Sequence, residues 1–289
     1  MGLFVKGESK TKEKQPQYYL SATGSEVYNY NVYYMSFGEK VLYFIIGFIV
    51  GAAVGYLFYG GIGKNEYGEP TMTTWICDIV ISSIVGIIAG LGFIPIRTEQ
   101  IRDKKQRDLK LQFRELLDAL STSLGSGKNI PDSFKAAKDD LSIIYSHETA
   151  IIKELDVILD GIINAIDIEV SLRDFGIRSG IVDIVSFADV FETCYRKGGN
   201  IKDVIKNTQQ ILAEKMEIEM EIQTIVTGNK NEQLIMTIMP IGIVGIIKMM
   251  SPEFATNFAT PTGIVSTTVA VVMFVVAYFI GKVVLSIKV

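Results

Sequence analysis

Two similar stretches carry the residue types that most suggest chemistry: "GKNIPDSF" at 127–134 and "GGNIKDVI" at 198–205. In both, glycine, Asn, Ile and Asp follow one another at the same spacing. Glycine-rich turns that lead into a helix can bind phosphate, and the same residue types end one helix and begin the next. The first stretch lacks the G-x-x-x-x-G-K-[ST] spacing of a nucleotide-binding loop, so we interpret both as helix-to-helix turns.

Each residue type in these turns has a predicted role. The glycines take the left-handed conformation that ends a helix, the asparagines cap the next helix, and the aspartates lie at its third position, near the positive end of the helix dipole. The predicted cap residues are Gly127, Asn129, Asp132, Gly198, Asn200 and Asp203. The turns are either structural caps alone or also contact a partner; in the second case Lys128, Arg196 and Lys197 are the candidate contact residues.

A third candidate site is acidic. Glu214, Glu217 and Glu221 lie at positions i, i+3 and i+7 and therefore share one face of a predicted helix. Such a face either docks a metal or basic side chains, or is simply a solvated side of the helix. A single histidine, His147, makes a His-ligated metal site or a His-based triad an unexpected feature. The sequence predicts no catalytic residue, no metal and no cofactor.

Where these residues lie depends on four hydrophobic blocks. Of the 289 residues 48% are hydrophobic and 21% charged, with a mean hydropathy of +0.31. A helix of about 20 apolar residues crosses a hydrocarbon core of about 30 Å. The predicted membrane helices are 41–63, 71–96, 233–250 and 262–282. The third is short, holds Pro240 and ends near Lys248, whose ammonium we expect to reach the membrane surface; a buried soluble helix is the alternative for this block.

The basic residues predict the orientation in the membrane. The segment "RTEQIRDKKQRDLK" after the second block carries six Lys and Arg, whereas the connections 64–70 and 251–261 carry one and none. The positive-inside rule then places 97–232 and both termini in the cytoplasm. Residues 1–40, polar and Tyr-rich, are predicted to form a flexible cytoplasmic tail. Cys77 and Cys194 would lie on opposite sides of the membrane and are not expected to pair. The net charge of −4 gives no indication of nucleic-acid binding.

Residues 97–232 read as helical nearly throughout. The apolar residues of Leu109–Leu124 recur every three or four positions. Within this part of the chain, one helix is expected to begin at an N-cap on Ser146. The short helix after it is expected to end at Gly176 or Gly180. The remaining predicted helices are 130–144, 181–197 and 200–226.

The repeated turn belongs to a longer internal repeat. At an offset of 71, Leu117–Leu141 aligns with Ala188–Leu212, and eight of 25 aligned positions are identical. A duplicated helix–turn–helix unit explains this pattern. The predicted fold class is therefore all-α, with two transmembrane helices before and two after a cytoplasmic helical bundle built from a duplicated hairpin.

Two features inside the membrane blocks invite interpretation. Small residues recur at every fourth position, which lets transmembrane helices approach closely. These predicted packing residues are Gly47, Gly51, Gly55, Ser82, Gly86 and Gly90. Asp78 is an intramembrane carboxylate, a type of residue that is often functional. It lies near the predicted outer surface without further charged partners in the blocks, so we interpret it as structural.

The repeat stretches "FRELLDALSTSLGSGKNIPDSFKAA" and "FADVFETCYRKGGNIKDVI", followed by "IMTIMPIGIVGIIKMMSPEFATNFATPTG", carry a family resemblance. Together they resemble the F family of type II secretion systems, the inner-membrane platform proteins of secretion and type IV pilus machines. Two amino-terminal spans, one cytoplasmic domain and two carboxy-terminal spans are similar to the tight-adherence (Flp) pilus branch, and either paralogue of that branch fits. The resemblance covers about 40–289.

The resemblance implies a non-enzymatic role in the inner membrane. Proteins of this family oligomerise with themselves or a paralogue in the lipid bilayer, contact a cytoplasmic secretion ATPase and help to lift pilin-like subunits (prepilins) into a filament. The ATP chemistry then belongs to the partner. The alternative is a membrane subunit of a small-solute transporter, which would need polar groups at mid-membrane, where only Pro240 interrupts a span. A membrane signalling protein is a third class, for which no sensor or catalytic motif is visible.

Overall fold

The structure is a computed structural model that describes residues 15–21, 24–63 and 69–285, without the side chains of 252–254, 282 and 285. The described part is 81% helical and all-α, with two short strands. These strands, β1 (Tyr18–Leu20) and β2 (Glu26–Tyr28), pair antiparallel with Tyr19 opposite Val27. The helices are α1 (Phe37–Tyr59), α2 (Met72–Gly125), α3 (Ile130–Ile144), α4 (Ala150–Ile163), α5 (Ile168–Ser179), α6 (Val182–Lys197), α7 (Ile201–Met250), α8 (Pro252–Phe258) and α9 (Pro261–Leu285).

The chain divides into two compact units. The helical unit comprises the residues up to Tyr34 and Gln100–Leu212, and the span unit comprises Met35–Glu99 and the residues from Ala213 onward. The span unit contains the apolar parts of α1, α2, α7 and α9, the helices that are long and apolar enough to cross a membrane. The predicted arrangement of two such helices before the helical bundle and two after it is confirmed.

Two of the predicted membrane helices are parts of much longer helices. The second block begins α2, which continues without interruption to Gly125, and the third block ends α7, which begins at Ile201. The basic stretch 97–110 contains neither Gly nor Pro and is rich in good helix formers, so nothing in it stops the helix. The first helix begins earlier than predicted, at Phe37, because the Glu39 carboxylate accepts the Ser36 backbone N–H at 2.9 Å and caps its first turn.

The core of the helical unit consists of the apolar faces of α2 to α7. The aromatic rings of Phe113, Phe175 and Phe187 lie at its centre, with centroid separations of 5.4 Å between Phe113 and Phe187 and 6.1 Å between Phe113 and Phe175. The periodic residues of α2 bury as predicted up to Leu120, whereas Leu124 is half-buried near the end of the helix. Other fully buried side chains are Leu116, Leu117, Phe134, Ile151, Leu155, Phe191 and Ile205.

Part of the predicted flexible tail is folded. Residues 1–14 lie outside the described residues, but 15–34 contain the β1–β2 hairpin and belong to the helical unit. Val27 and Tyr30 are 4% and 6% exposed, and the Tyr30 backbone N–H donates to the Arg178 carbonyl at 2.9 Å. The expectation of a flexible tail is therefore wrong for this segment, because its aromatic and β-branched residues find a buried surface that the sequence pattern does not reveal.

The start of α4 and the end of α5 can be compared with their predicted positions. The helix predicted to begin at Ser146, α4, has Thr149 at its N-cap position instead, without a side-chain capping hydrogen bond. Residues 146–149 form a turn before it, with the Thr149 N–H donating to the Ser146 carbonyl at 3.0 Å. Of the two candidate glycines, Gly180 ends α5 in the left-handed conformation, with φ of 66°. Gly176 lies inside the helix.

Small residues bring α1 and the first part of α2 close together within the span unit. Gly47, Gly51 and Gly55 are buried. A Cβ atom built on Gly51 would lie only 2.5 Å from the Cβ of Ala89, and one built on Gly90 would lie 2.8 Å from the Phe44 ring. Side chains and backbone of the facing helix therefore occupy the space that a side chain would need. The facing pairs along this glycine seam are Gly47 with Gly90, Gly51 with Gly86, and Gly55 with Ser82.

We predict that Gly51→Leu destabilises the span unit by about 1–3 kcal/mol, because the added side chain overpacks the seam. The matched control is Gly92→Leu on α2, since nothing lies within 4 Å of a Cβ at Gly92. The measurement is the unfolding midpoint of the full chain in detergent micelles. Equal losses in the two variants would contradict the close approach of α1 and α2.

Candidate functional site

The first turn of the repeat is built from paired backbone and side-chain caps. Gly127 has φ of 86°, and its N–H donates to the Leu124 carbonyl at 3.1 Å while the Lys128 N–H donates to the Ser123 carbonyl at 3.3 Å. This is the hydrogen-bond pattern of a Schellman helix end. The Asn129 side chain then accepts the Asp132 N–H at 2.8 Å and caps α3. The backbone groups at both helix ends are thus satisfied within the turn.

The second turn repeats the backbone geometry but not the side-chain bond. Gly198 is left-handed, with φ of 74°, and both its N–H and that of Gly199 donate to the Cys194 carbonyl. The Asn200 side-chain amide donates to the Asp203 carboxylate at 2.6 Å, immediately before α7. Asn200 therefore orients the aspartate of the first helical turn, whereas Asn129 caps a backbone N–H.

The end of α2, just before the first turn, lies near a side chain from the start of α7, just after the second turn. A Cβ built on Gly125, at the end of α2, would lie 3.9 Å from the Lys202 ammonium, in the first turn of α7. Lys128 and Lys197 are exposed. The lysines of both turns are therefore accessible to a partner.

Arg196, the third predicted contact residue, has partners inside the unit. Its guanidinium contacts the carboxylate of Glu169 at 3.3 Å and that of Glu192 at 3.6 Å. The Glu169 side chain is 5% exposed, and its second oxygen has no hydrogen-bond partner among the described residues. Arg196 therefore neutralises a buried carboxylate between α5 and α6, which leaves Lys128 and Lys197 as the turn cations better placed for a partner.

The predicted acidic face is solvent-accessible. Glu214, Glu217 and Glu221 are all exposed on α7. They follow the buried Leu212, and Met216 between them is 7% exposed, so this part of α7 has one buried and one charged side. Among the residues that the structure describes, no three His, Cys, Asp or Glu side chains lie close enough together to hold a metal ion.

Two charged residues of the apolar segments, Asp78 and Lys248, bind backbone groups of the span unit. The Asp78 carboxylate accepts the Gly61 N–H at 2.9 Å, just beyond the end of α1. The Lys248 ammonium donates to the Leu57 carbonyl at 2.7 Å and lies 4.7 Å from the centroid of the Phe258 ring. The ammonium meets the carboxyl end of α1, where the helix dipole is negative. Each charged side chain thus forms a hydrogen bond with a backbone N–H or carbonyl group that would find no partner in hydrocarbon.

The most buried charged cluster in the described residues was not predicted from the sequence. The Arg178 guanidinium is 0% exposed and makes two parallel hydrogen bonds to the Glu154 carboxylate, of 2.6 and 2.5 Å. Its Nε donates to Asp174 at 2.8 Å, and a further N–H reaches the Tyr28 carbonyl at 3.3 Å. The planar guanidinium can satisfy a carboxylate, a second carboxylate and a carbonyl at once. The cluster therefore joins α4, α5 and the hairpin.

The charged groups of this cluster shift one another's pKa values. Burial is the largest influence on the pKa of Glu154 and raises it, whereas the hydrogen bonds and charge of Arg178 lower it. Burial lowers the pKa of Arg178, but Glu154 and Asp174 outweigh that effect and the net shift is upward. Burial and the neighbouring Glu154 raise the pKa of Tyr30 above its usual value of 10.0. Arg178 and Tyr30 therefore both stay protonated and serve as donors to Glu154.

A cleft of about 520 Å³ lies beside this cluster, within the helical unit. The hairpin, α2 and α4 each form one wall. Representative lining residues are Tyr28, Tyr30, Leu109, Gln112, Glu154 and Val157. The hairpin supplies the tyrosine wall, so the shape of the cleft depends on where the hairpin lies.

One sequence signal could have identified the cluster. Glu154 interrupts an otherwise apolar face of α4 that includes Ile151, Leu155 and Ile158, all of them buried. A carboxylate on a buried helix face requires a cationic partner. The partner itself could not be chosen from the sequence, because Arg178 lies 24 positions away, in a helix with several charged residues.

Comparison with protein-family models, with curated proteins and with solved structures finds no match to this chain.

We predict that Arg178→Ala lowers the free energy of unfolding of the helical unit by about 3–5 kcal/mol, because it leaves the buried Glu154 carboxylate without its cation. The control is Arg173→Ala on the same helix, whose pair with Glu192 is 58% exposed on the arginine side and should contribute about 0.2–1 kcal/mol. Urea unfolding of the full chain in detergent, followed by circular dichroism, measures both. A similar small loss in the two variants would contradict the role of the buried pair.

Proposed function

We propose that this chain is a platform protein of a type II secretion or tight-adherence (Flp) pilus machine, located in the inner (cytoplasmic) membrane with both termini in the cytoplasm. The observation that carries the proposal is the duplicated hairpin. Its two turns share left-handed glycines, in a helical unit whose sequence is preceded and followed by pairs of apolar helices. This order of elements is that of the family which the repeat and the carboxy-terminal sequence resemble.

In this proposal the chain is not an enzyme, and its working parts are surfaces. The exposed lysines of the two turns contact a secretion ATPase, which supplies the ATP chemistry. The span unit contacts lipid, pilin-like subunits and further copies of itself or of a paralogue. The long helices α2 and α7 transmit the motion of the ATPase to the spans. Each helix is unbroken where the chain passes from one compact unit to the other.

The charge distribution at the turns favours an acidic partner surface. Lys128 and Lys197 are exposed, and Arg196 is already shared between Glu169 and Glu192. Exposed charges at the rim of an interface mainly change association rates and salt dependence. Binding through the two lysines should therefore weaken as ionic strength rises.

Affinity capture of the full chain from native membranes tests the proposed function directly. Recovery of a secretion ATPase together with pilin-like subunits supports the platform role. Recovery of a nucleotide-binding transport subunit, without either of these, would overturn it in favour of a small-solute transporter.

We predict that Gly198→Val impairs filament assembly while membrane insertion is unchanged. A side chain at φ of 74° costs about 1–2 kcal/mol, and a β-branched one fits this conformation worst. The matched control is Gly228→Val, since both positions have open space around a Cβ but Gly228 has an ordinary helical backbone. Filament yield and the membrane-inserted fraction are measured for both. Normal filaments in the Gly198 variant would contradict a role for the second turn.

We also predict that Lys128→Glu and Lys197→Glu each weaken binding to the secretion ATPase by about tenfold at low ionic strength. Lys104→Glu, an exposed residue of α2 outside both turns, serves as the control. Binding is measured with the full chain in detergent over a range of salt concentrations. Unchanged affinity in both turn variants would exclude the turns as the contact surface.

A further inference from the structure

The carboxyl end of α5 is closed by groups from other parts of the helical unit. The last carbonyls of a helix have no partner within that helix. Here the Asn31 side-chain amide donates to the Ile177 carbonyl at 2.9 Å, and the Tyr30 N–H donates to the Arg178 carbonyl at 2.9 Å. The Gln106 side chain donates to the Ser179 carbonyl at 3.0 Å. Two of these three carbonyls are thus closed by the short segment 28–31, which we call the strap.

Gly180 shapes the surface on which the strap lies. Its φ of 66° already disfavours a side chain. In addition, a Cβ on Gly180 would lie 1.8 Å from the Asn31 side-chain oxygen and 2.7 Å from the Gln106 amide nitrogen. The strap therefore lies directly against the backbone of the turn, in a position that only glycine leaves open.

The ion pair beneath the strap is made within α4 and α5. Arg178 keeps both hydrogen bonds to Glu154 and one to Asp174 there. The strap adds the Tyr28 carbonyl to Arg178 at 3.3 Å, the longest bond of the guanidinium, and the Tyr30 hydroxyl to Glu154. Release of the strap would leave the buried ion pair intact. A segment that can open without disrupting the core beneath it is a low-energy local opening.

A second, exposed set of contacts holds the strap to α2. The Lys105 ammonium donates to the Tyr28 hydroxyl at 3.2 Å, and lies 4.8 Å from the Tyr28 ring centroid and 4.5 Å from that of Tyr33. Exposed contacts of this kind are among the weaker cation–π interactions. The strap is therefore held by polar contacts at its edges and by one deeply buried aromatic ring, that of Tyr30.

We propose that residues 28–31 form a releasable strap, seated on the carboxyl end of α5 within the helical unit. The strap opens before the ion pair beneath it does, because Arg178 keeps its bonds to Glu154 and Asp174 within α4 and α5. The inference stands independently of the proposed role in filament assembly.

The test compares Gly180→Ala with Gly127→Ala in the full chain in detergent. Both replace a left-handed glycine, but a Cβ at Gly127 meets nothing within 4 Å. Gly180→Ala should accelerate amide hydrogen exchange in the strap roughly tenfold, the equivalent of losing one or two net hydrogen bonds, while α4 and α5 keep their protection. Gly127→Ala should leave exchange in the strap unchanged. Chymotrypsin cleavage within the Tyr-rich residues 28–34 should follow the same order.

A second variant distinguishes loss of the strap contact from general strain. Asn31→Ala removes the amide without altering α5, and should accelerate exchange in the strap in the same direction. Combining it with Gly180→Ala should give no further acceleration, because both changes remove one contact. The proposal is overturned if Gly180→Ala and Gly127→Ala behave alike. It is also overturned if α4 and α5 lose protection together with the strap, because the strap would then not be separable from the core.

Discussion

The helical unit depends on one buried guanidinium. Arg178 is fully enclosed and joins Glu154 on α4, Asp174 on α5 and the backbone of the hairpin. A buried charge of this kind is tolerated only when it is paired and hydrogen-bonded, so the positions of α4 and α5 are constrained at one point, to which the hairpin adds a longer bond. The aromatic core around Phe113 supplies apolar burial, which is not directional; the guanidinium supplies the direction in which α4 and α5 must face.

Within the described residues, the span unit contains four helical segments long and apolar enough to cross a membrane, and a bilayer would place a different requirement on it, the absence of water. In hydrocarbon every backbone group needs a partner and helices gain little from hydrophobic contact with each other. The glycine seam between α1 and α2 replaces side-chain packing with close backbone approach. Asp78 and Lys248, two charged residues of the apolar segments, both bind backbone groups at or just beyond the end of α1. These two residues therefore connect helices.

Duplication explains why the turns of the repeat differ in detail. The glycines of both copies keep the left-handed conformation, because a helix that must end and reverse within a few residues has few backbone solutions. The side-chain caps are less constrained: Asn129 accepts a backbone N–H, whereas Asn200 donates to Asp203. Arg196 has become part of a buried-carboxylate pair. If the turns bind a motor protein, the backbone conformation that both copies share positions the surface, and the cations that differ between the copies set its charge.

The sequence by itself determined the helices, the four apolar segments, the turns and the small-residue faces, because each is encoded locally by hydrophobic period, capping residues or glycine spacing. It placed α3 at its observed bounds and identified the two left-handed glycines of the turns, but it missed the folding of residues 15–34 and the start of α4. Only the tertiary structure decided that Arg178 pairs with Glu154, that Lys248 turns to the end of α1 and that the hairpin closes α5. These contacts join residues from 24 to 191 positions apart, and the choice among many exposed charges and tyrosines is made by which of them the packed helices bring within hydrogen-bond distance.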